Sequence, residues 1–331
     1  MFSTGIMFVP KGPMDEVLAA AQAAEAAGFD FGLVADEGFL YDVYAVMAVI
    51  LSHTRRLRLA PITNPYTRHP AVTAAALATL NTFAPGRAFL TVVPGGSLVL
   101  GPMAIAAEKP LAACREMIEI VRALSTGQKC DYHGTQFSLR GAQLGTAPQP
   151  VEVWMMGRGP RMIRLSGECA DVTVMTSRLG GGTALAEAEH GAALGGRALR
   201  LAYLGSLAFD SAMLEQMRPH YTYVLPDSPP AALAELGLSP AWAAELKRTR
   251  EAEGVEAAAR LISDDLLRRL MVAGTPEECL ADIRRLAVHE RYRHFILPVM
   301  SLEQSYALPL IHQAGAIYAR ARESLPEEQH A

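Results

Sequence analysis

The chain has 331 residues, half of them apolar, and a formal net charge of −4. That length is one large α/β domain or two small ones, and a weakly acidic balance with no long basic run argues against a nucleic-acid partner. No stretch of 18 uninterrupted apolar residues occurs, so no membrane-spanning helix and no membrane partner is expected.

Residues 1–5 have neither a basic flank nor a long apolar core, so they do not read as a signal peptide. The expected location is the cytoplasm. Cys114, Cys130, Cys169 and Cys279 show no metal-ligand spacing. They read as free thiols in a reducing compartment, and no metal site is expected.

In chain order, a short apolar run, a turn and an amphipathic helix repeat. Residues 6–9 read as the first strand and 13–27 as its helix, stopped at Gly28. Residues 31–35 predict a second strand, 40–52 a second helix, and 57–60 a third strand. A third helix opens at Pro70, a favoured first-turn residue, and carries Val72, Ala76, Leu80 and Phe83 at helical spacing until Pro85-Gly86. Residues 88–93 predict strand four, 107–125 a helix, and 129–139 a small β-excursion. Strand five is expected at 151–156 with a helix at 160–169, strand six at 172–175, and strand seven at 198–207. Residues 225–270, polar and punctuated by Pro226, Pro229, Pro230 and Pro240, predict a helical insertion near strand seven. Thr275 with Glu278 forms a capping-box pattern, 294–297 predicts strand eight, and a last helix begins near 302.

Eight strand–helix alternations predict a closed (β/α)8 barrel, a single domain over 1–331 with 225–270 inserted. An open doubly wound sheet is the rival, weakened because no glycine-rich dinucleotide fingerprint follows the first strand. In a barrel the chemistry sits on the loops after the strands, here 36–41, 61–69, 93–106, 157–160, 175–183 and 208–212.

Four loops carry candidate groups. In Met156-Gly157-Arg158-Gly159-Pro160-Arg161, glycines let a ligand approach the backbone and a helix start offers free N–H groups to an anion. Arg158, Arg161 and Arg164 oppose the helix dipole by roughly 0.3–1 kcal/mol each, a cost that a bound phosphate reverses; the other reading is a tight turn with solvated arginines. Between Pro61 and Pro70 three prolines stiffen the loop, and His69 reads as structural. Pro94-Gly95-Gly96 leaves room for a flat ligand, or is a plain flexible loop. Asp36-Glu37 suits hydrogen-bond acceptance and acid/base work, or equally a helix N-cap region.

Taken together and in this order, these segments resemble the luciferase-like flavin oxidoreductase superfamily, nearest its coenzyme F420-dependent methylenetetrahydromethanopterin reductase branch. Thr63-Asn64-Pro65-Tyr66-Thr67-Arg68-His69-Pro70, Trp154 to Met162 with Gly167 to Asp171, and Ala273 to Glu278 carry the resemblance. It spans residue 5 to about 300 and is weakest across 180–270. It implies a barrel and a cofactor at the C-terminal mouth, held by Asp36, Ala60, Pro61, Ile62, Thr63, Asn64, Pro94, Gly95, Gly96, Met175 and the run Met156 to Arg161. The strand-three bulge of this family commonly holds a non-prolyl cis peptide. Counting back from His69-Pro70 puts that bond at Ala60–Pro61, so a cis Pro61 is expected.

Where deazaflavin relatives often read Asp-His after strand two, this chain reads Asp36-Glu37. Glu37 then takes the histidine's place as proton donor if burial raises its pKa, with Tyr41 as the other candidate. The implied activity is F420-dependent hydride transfer to or from an unsaturated organic substrate, a small molecule or peptide, in a chain whose relatives are often homodimers. Two alternatives stand beside it: an FMN-dependent monooxygenase, and a non-catalytic cofactor-binding relative.

Overall fold

A computed structural model of the protein describes residues 2–176, 178 and 181–325. Its strands are β1 (Ser3–Phe8), β2 (Phe31–Ala35), β3 (Arg58–Thr63), β4 (Leu90–Val92), β5 (Cys130–His133), β6 (Ser138–Ala142), β7 (Val153–Met156), β8 (Val172–Thr176), β9 (Leu201–Leu204), β10 (Leu207–Ala208), β11 (Val272–Ala273) and β12 (Tyr292–Val299). Eight of them close a barrel in the order β1-β12-β9-β8-β7-β4-β3-β2, every pair parallel. β5 and β6 form the expected antiparallel excursion outside the barrel.

The helices owe their starts to local chemistry. Six of them place proline in the first turn, among them Pro70–Phe83, Pro160–Cys169 and Pro276–Val288, where a missing N–H costs nothing. Thr275 and Glu278 make the reciprocal capping box. Val43–His53 starts later than expected because Asp42 is its cap, accepting from the Tyr44 and Ala45 N–H groups.

Strand seven is shorter than expected. β9 ends at Leu204, and Leu207–Ala208 leaves the barrel to pair with Val272–Ala273. That pair joins the two ends of a helical segment that already starts at Ser211 and runs to Leu270. Leu214, Met217, Leu246, Leu267 and Leu270 are buried in a core of its own.

Inside the barrel, alternate residues of each strand form stacked layers. The basal layer is aromatic: Phe31, Phe89 and Trp154 have ring centroids 4.9–6.1 Å apart. Gly5 makes room for it, since a Cβ there would stand 2.2 Å from Phe31 Cε2. Leu33, Ala60, Leu204 and Ile296 fill the interior with them.

Gly5→Ala is therefore expected to cost about 1–3 kcal/mol by overpacking, read as a lower urea midpoint. Adding Phe31→Leu should return part of that loss. A Gly5→Ala protein as stable as the parent would refute the close approach.

Candidate active site

Met7, Ile62 and Met156 are only partly buried and pack on the interior core from above. They lie toward the C-terminal ends of β1, β3 and β7, and make an apolar floor at the mouth. The loops around it carry most of the residues expected from sequence.

Asp36 leaves β2 tied to β3. Its N–H donates to the Ile62 carbonyl at 3.1 Å, and Thr63 Oγ1 donates to Asp36 Oδ2 at 2.7 Å. Neither Asp36 nor Glu37 caps the following helix, because Asp42 does. The carboxyl of Glu37 has no hydrogen-bond partner among the described residues. Its pKa is raised above the ordinary carboxylate range, first by burial and then by the neighbouring charge of Asp36. Tyr41 stands farther out, 47% exposed beside Phe39 at 66%. It belongs to the rim, not to the floor.

The β3 loop corrects one expectation. No cis peptide occurs among the described residues, so Ala60–Pro61 is trans. The reason is visible in the pairing. Val34 faces Pro61 in an unbroken β2–β3 register, and β3 meets β4 at Leu59↔Ala88 and again at Ile62↔Thr91. The offset is the same on both sides, so Pro61 interrupts the β4 ladder where its N–H is missing without shifting it. Ala60 is buried inside the barrel, and Thr63 and Asn64 are buried at its top. Asn64 Oδ1 accepts from the Tyr66 and Thr67 N–H groups, making a tight turn. His69 is structural: its Nδ1 accepts from the Ala71 N–H at 3.2 Å as the helix cap.

After β4, Pro94 and Gly95 are half-buried and Gly96 is exposed, with open space where a Cβ would stand. Opposite lies the β7 loop. Gly159 caps Pro160–Cys169 without any side-chain acceptor, and space is open around it too. Beside it is a cavity of about 310 Å³, lined by Gly157, Arg158, Pro160, Ile163 and Met175 on the barrel side. Ser228, Pro229, Pro230, Ala231 and Ala232 of the helical segment close it.

Only one of the three arginines faces this cavity. Arg161 and Arg164 line a different groove, against Arg115 and Glu116, and Arg164 pairs with Glu187 at 2.6 Å. Arg161 is thus not brought to the site, because the helix turns it toward Pro110–Ser125. Residues 177, 179 and 180 of the 175–183 loop lie outside the described residues. Sequence reading named none of 228–232 as site residues although they fall in its predicted helical insertion, and it missed His220, whose pKa is pushed down to about 4 by burial and by the Arg158 guanidinium. Asp227 is the carboxylate whose field acts on Arg158. The proline cluster was the only signal of this wall.

Four free cysteines and no three-residue cluster of metal-ligating side chains are found among the described residues, and no helix there is long and apolar enough to cross a membrane.

A family model described as luciferase-like monooxygenase matches residues 2–293. The chain is 28% identical over 296 residues to a 5,10-methylenetetrahydromethanopterin reductase of Archaeoglobus fulgidus, covering 86% of this chain and 89% of that one. It is 32% identical over 179 residues to an F420-dependent glucose-6-phosphate dehydrogenase of Beutenbergia cavernae, about half of each chain (50% and 53%). In fold it is similar to a coenzyme F420-dependent tetrahydromethanopterin reductase of Methanopyrus kandleri, with a TM-score of 0.87 at 22% identity over 95% of this chain and 97% of that one.

A carboxyl whose pKa is higher folded than unfolded stabilises the fold while protonated, and that contribution is lost as pH rises through the folded pKa. The raised pKa of Glu37 therefore predicts that Glu37→Gln is more stable than the parent at pH 7. The gain should shrink toward pH 4, measured as urea midpoints. A gain of equal size at both pH values, or a loss at pH 7, would contradict the assignment.

Proposed function

We propose that this chain, which belongs to the luciferase-like monooxygenase family, is an oxidoreductase that binds coenzyme F420 at the C-terminal mouth of its barrel and exchanges a hydride with an unsaturated organic small molecule. The observation that carries the reading is the mouth's polarity. An apolar floor lies between an unpartnered carboxyl of raised pKa, Glu37, and an uncapped helix start with one facing guanidinium, Arg158. The likeness to the methylenetetrahydromethanopterin reductase and to the F420-dependent dehydrogenase supports the choice of cofactor.

The residues present fit such a group. Backbone N–H groups at an uncapped helix start favour a phosphate, so Gly157 to Pro160 with Arg158 would hold that end. Ile62, Thr63, Gly95 and Gly96 would flank the ring, and the space open at Gly96 and Gly159 is what a bound group needs. Asp36, already fixed by Thr63, would accept a hydrogen bond from the ring. F420 supplies a two-electron hydride carrier when bound. Glu37 keeps a proton on its carboxyl oxygen to higher pH than an ordinary carboxylate, as a general acid requires. Residues 1–331 act as one domain in this reading, with the helical segment as the outer wall of the substrate pocket.

Side-by-side titration with F420 and FMN tests the cofactor, with F420 expected to bind tighter. Arg158→Gln should weaken F420 binding by about tenfold or more, the value of one charge-assisted hydrogen bond. Glu37→Gln should lower kcat by roughly 10²-fold with the F420 Kd unchanged. Tighter binding of FMN, or an Arg158→Gln protein with unaltered F420 affinity, would overturn the reading.

A further inference from the structure

The end of the barrel opposite the mouth carries a second polar cavity, of about 560 Å³, that the proposed function does not use. It lies where the N-terminal ends of the strands meet the last helix, Gln304–Ser324. Arg56, Arg58, Arg200 and Arg322 line it against only two carboxylates, Asp30 and Glu152.

Both carboxylates already hold guanidinium groups. Glu152 takes Arg58 on one oxygen at 2.6 Å and Arg200 on the other at 3.2 Å. Burial would raise the Glu152 pKa, but the hydrogen bond and charge of Arg58, then the Trp154 indole N–H and the charge of Arg200, hold it below the ordinary range. Asp30 Oδ2 accepts from the Thr4 N–H at 2.8 Å and from Arg322 NH2 at 2.6 Å.

His294 adds no positive charge of its own. Arg200 NH2 reaches its Nε2 at 3.3 Å, and a guanidinium can only donate, so the proton is on Nδ1 and is offered to Ser3 Oγ at 2.7 Å. Burial, and then the charge of Arg200, push its pKa down to about 3.

One donor of the lining remains without an acceptor: Arg322 Nε is buried and unpaired. Trp154 is 1% exposed and turns its Nε1 toward Glu152, on which it acts as a weak donor. Four guanidinium groups against two lining carboxylates, with Glu25 acting on Arg56 from outside the lining, leave the cavity net positive.

We propose that this basal cavity is a binding site for a small tetrahedral oxyanion of the phosphate or sulfate class, held by Arg200 and Arg322. The anion balances the excess positive charge of the lining and ties the strand ends to the last helix through Arg322. It is independent of the cofactor at the mouth.

Trp154 is a built-in reporter, because the only other tryptophan is Trp242, which lies in the helical segment. In the full-length Trp242→Phe protein, inorganic phosphate or sulfate should change Trp154 emission saturably and raise Tm, while sodium chloride at equal ionic strength should not. Arg200→Gln and Arg322→Gln should each weaken the response by about tenfold. Arg200→Lys keeps the charge in case Gln perturbs folding, and should also weaken it, since an ammonium lacks the planar fork. Arg158→Gln, at the mouth, should leave the emission response unaltered. No saturable emission change, a response equal in the Arg200 and Arg322 variants, or one abolished by Arg158→Gln would each overturn the proposal.

Discussion

Closing eight parallel strands leaves an interior that only the strands' own side chains can fill, and here the filling is graded along the axis. Phe31, Phe89 and Trp154 occupy the base, and they fit because Gly5 presents no side chain to Phe31. Toward the other end the layers thin to Leu33, Ala60 and Leu204, then to the half-open Met7, Ile62 and Met156. The barrel is thus plugged at one pole and left with an apolar landing at the other. A flat ligand has one face of the molecule on which to settle, and the loops after the strands are the ones that reach it.

At that landing the charges are sorted by how well each is already satisfied. Asp36 is held by the Thr63 hydroxyl. Glu37 has no such partner, and it sits beside that carboxylate and is partly shielded from water. Two adjacent acids thus stand in different surroundings, one hydrogen-bonded and one not. On the far side, burial and then the charge of Arg158 push the His220 pKa down to about 4. On each side of the mouth, burial first and a neighbouring charge second move one group's pKa toward its neutral form.

Much of this was legible because the signals are local. Proline in the first turn, the Thr275–Glu278 box and short apolar runs each depend on a few neighbouring residues, and they placed the barrel and its loops correctly. What depends on partners across the fold was not legible. The geometry of Pro61 follows from a register shared with β2 and β4, not from the peptide itself. Arg158 and Arg161 are three positions apart, and only packing against Pro110–Ser125 decides that one faces the cavity and the other a separate groove. The tie between Leu207–Ala208 and Val272–Ala273 joins segments far apart in the chain, so the true start of the helical segment at Ser211 left no mark in composition.

That tie also governs how the site is built. With its two ends bound to each other, the segment from Ser211 to Leu270 can hold a core of its own around Leu246 and Leu267, and Met213 joins that core to the barrel's. Yet Ser228 to Ala232 are the wall of the cavity beside Gly159. The barrel therefore fixes the uncapped helix start and the apolar floor, whereas one wall of the cavity comes from a segment with a core of its own. A substitution at Pro229 or Ala232 changes that wall, and one at Ile62 or Met156 changes the floor, which packs on the barrel's interior core.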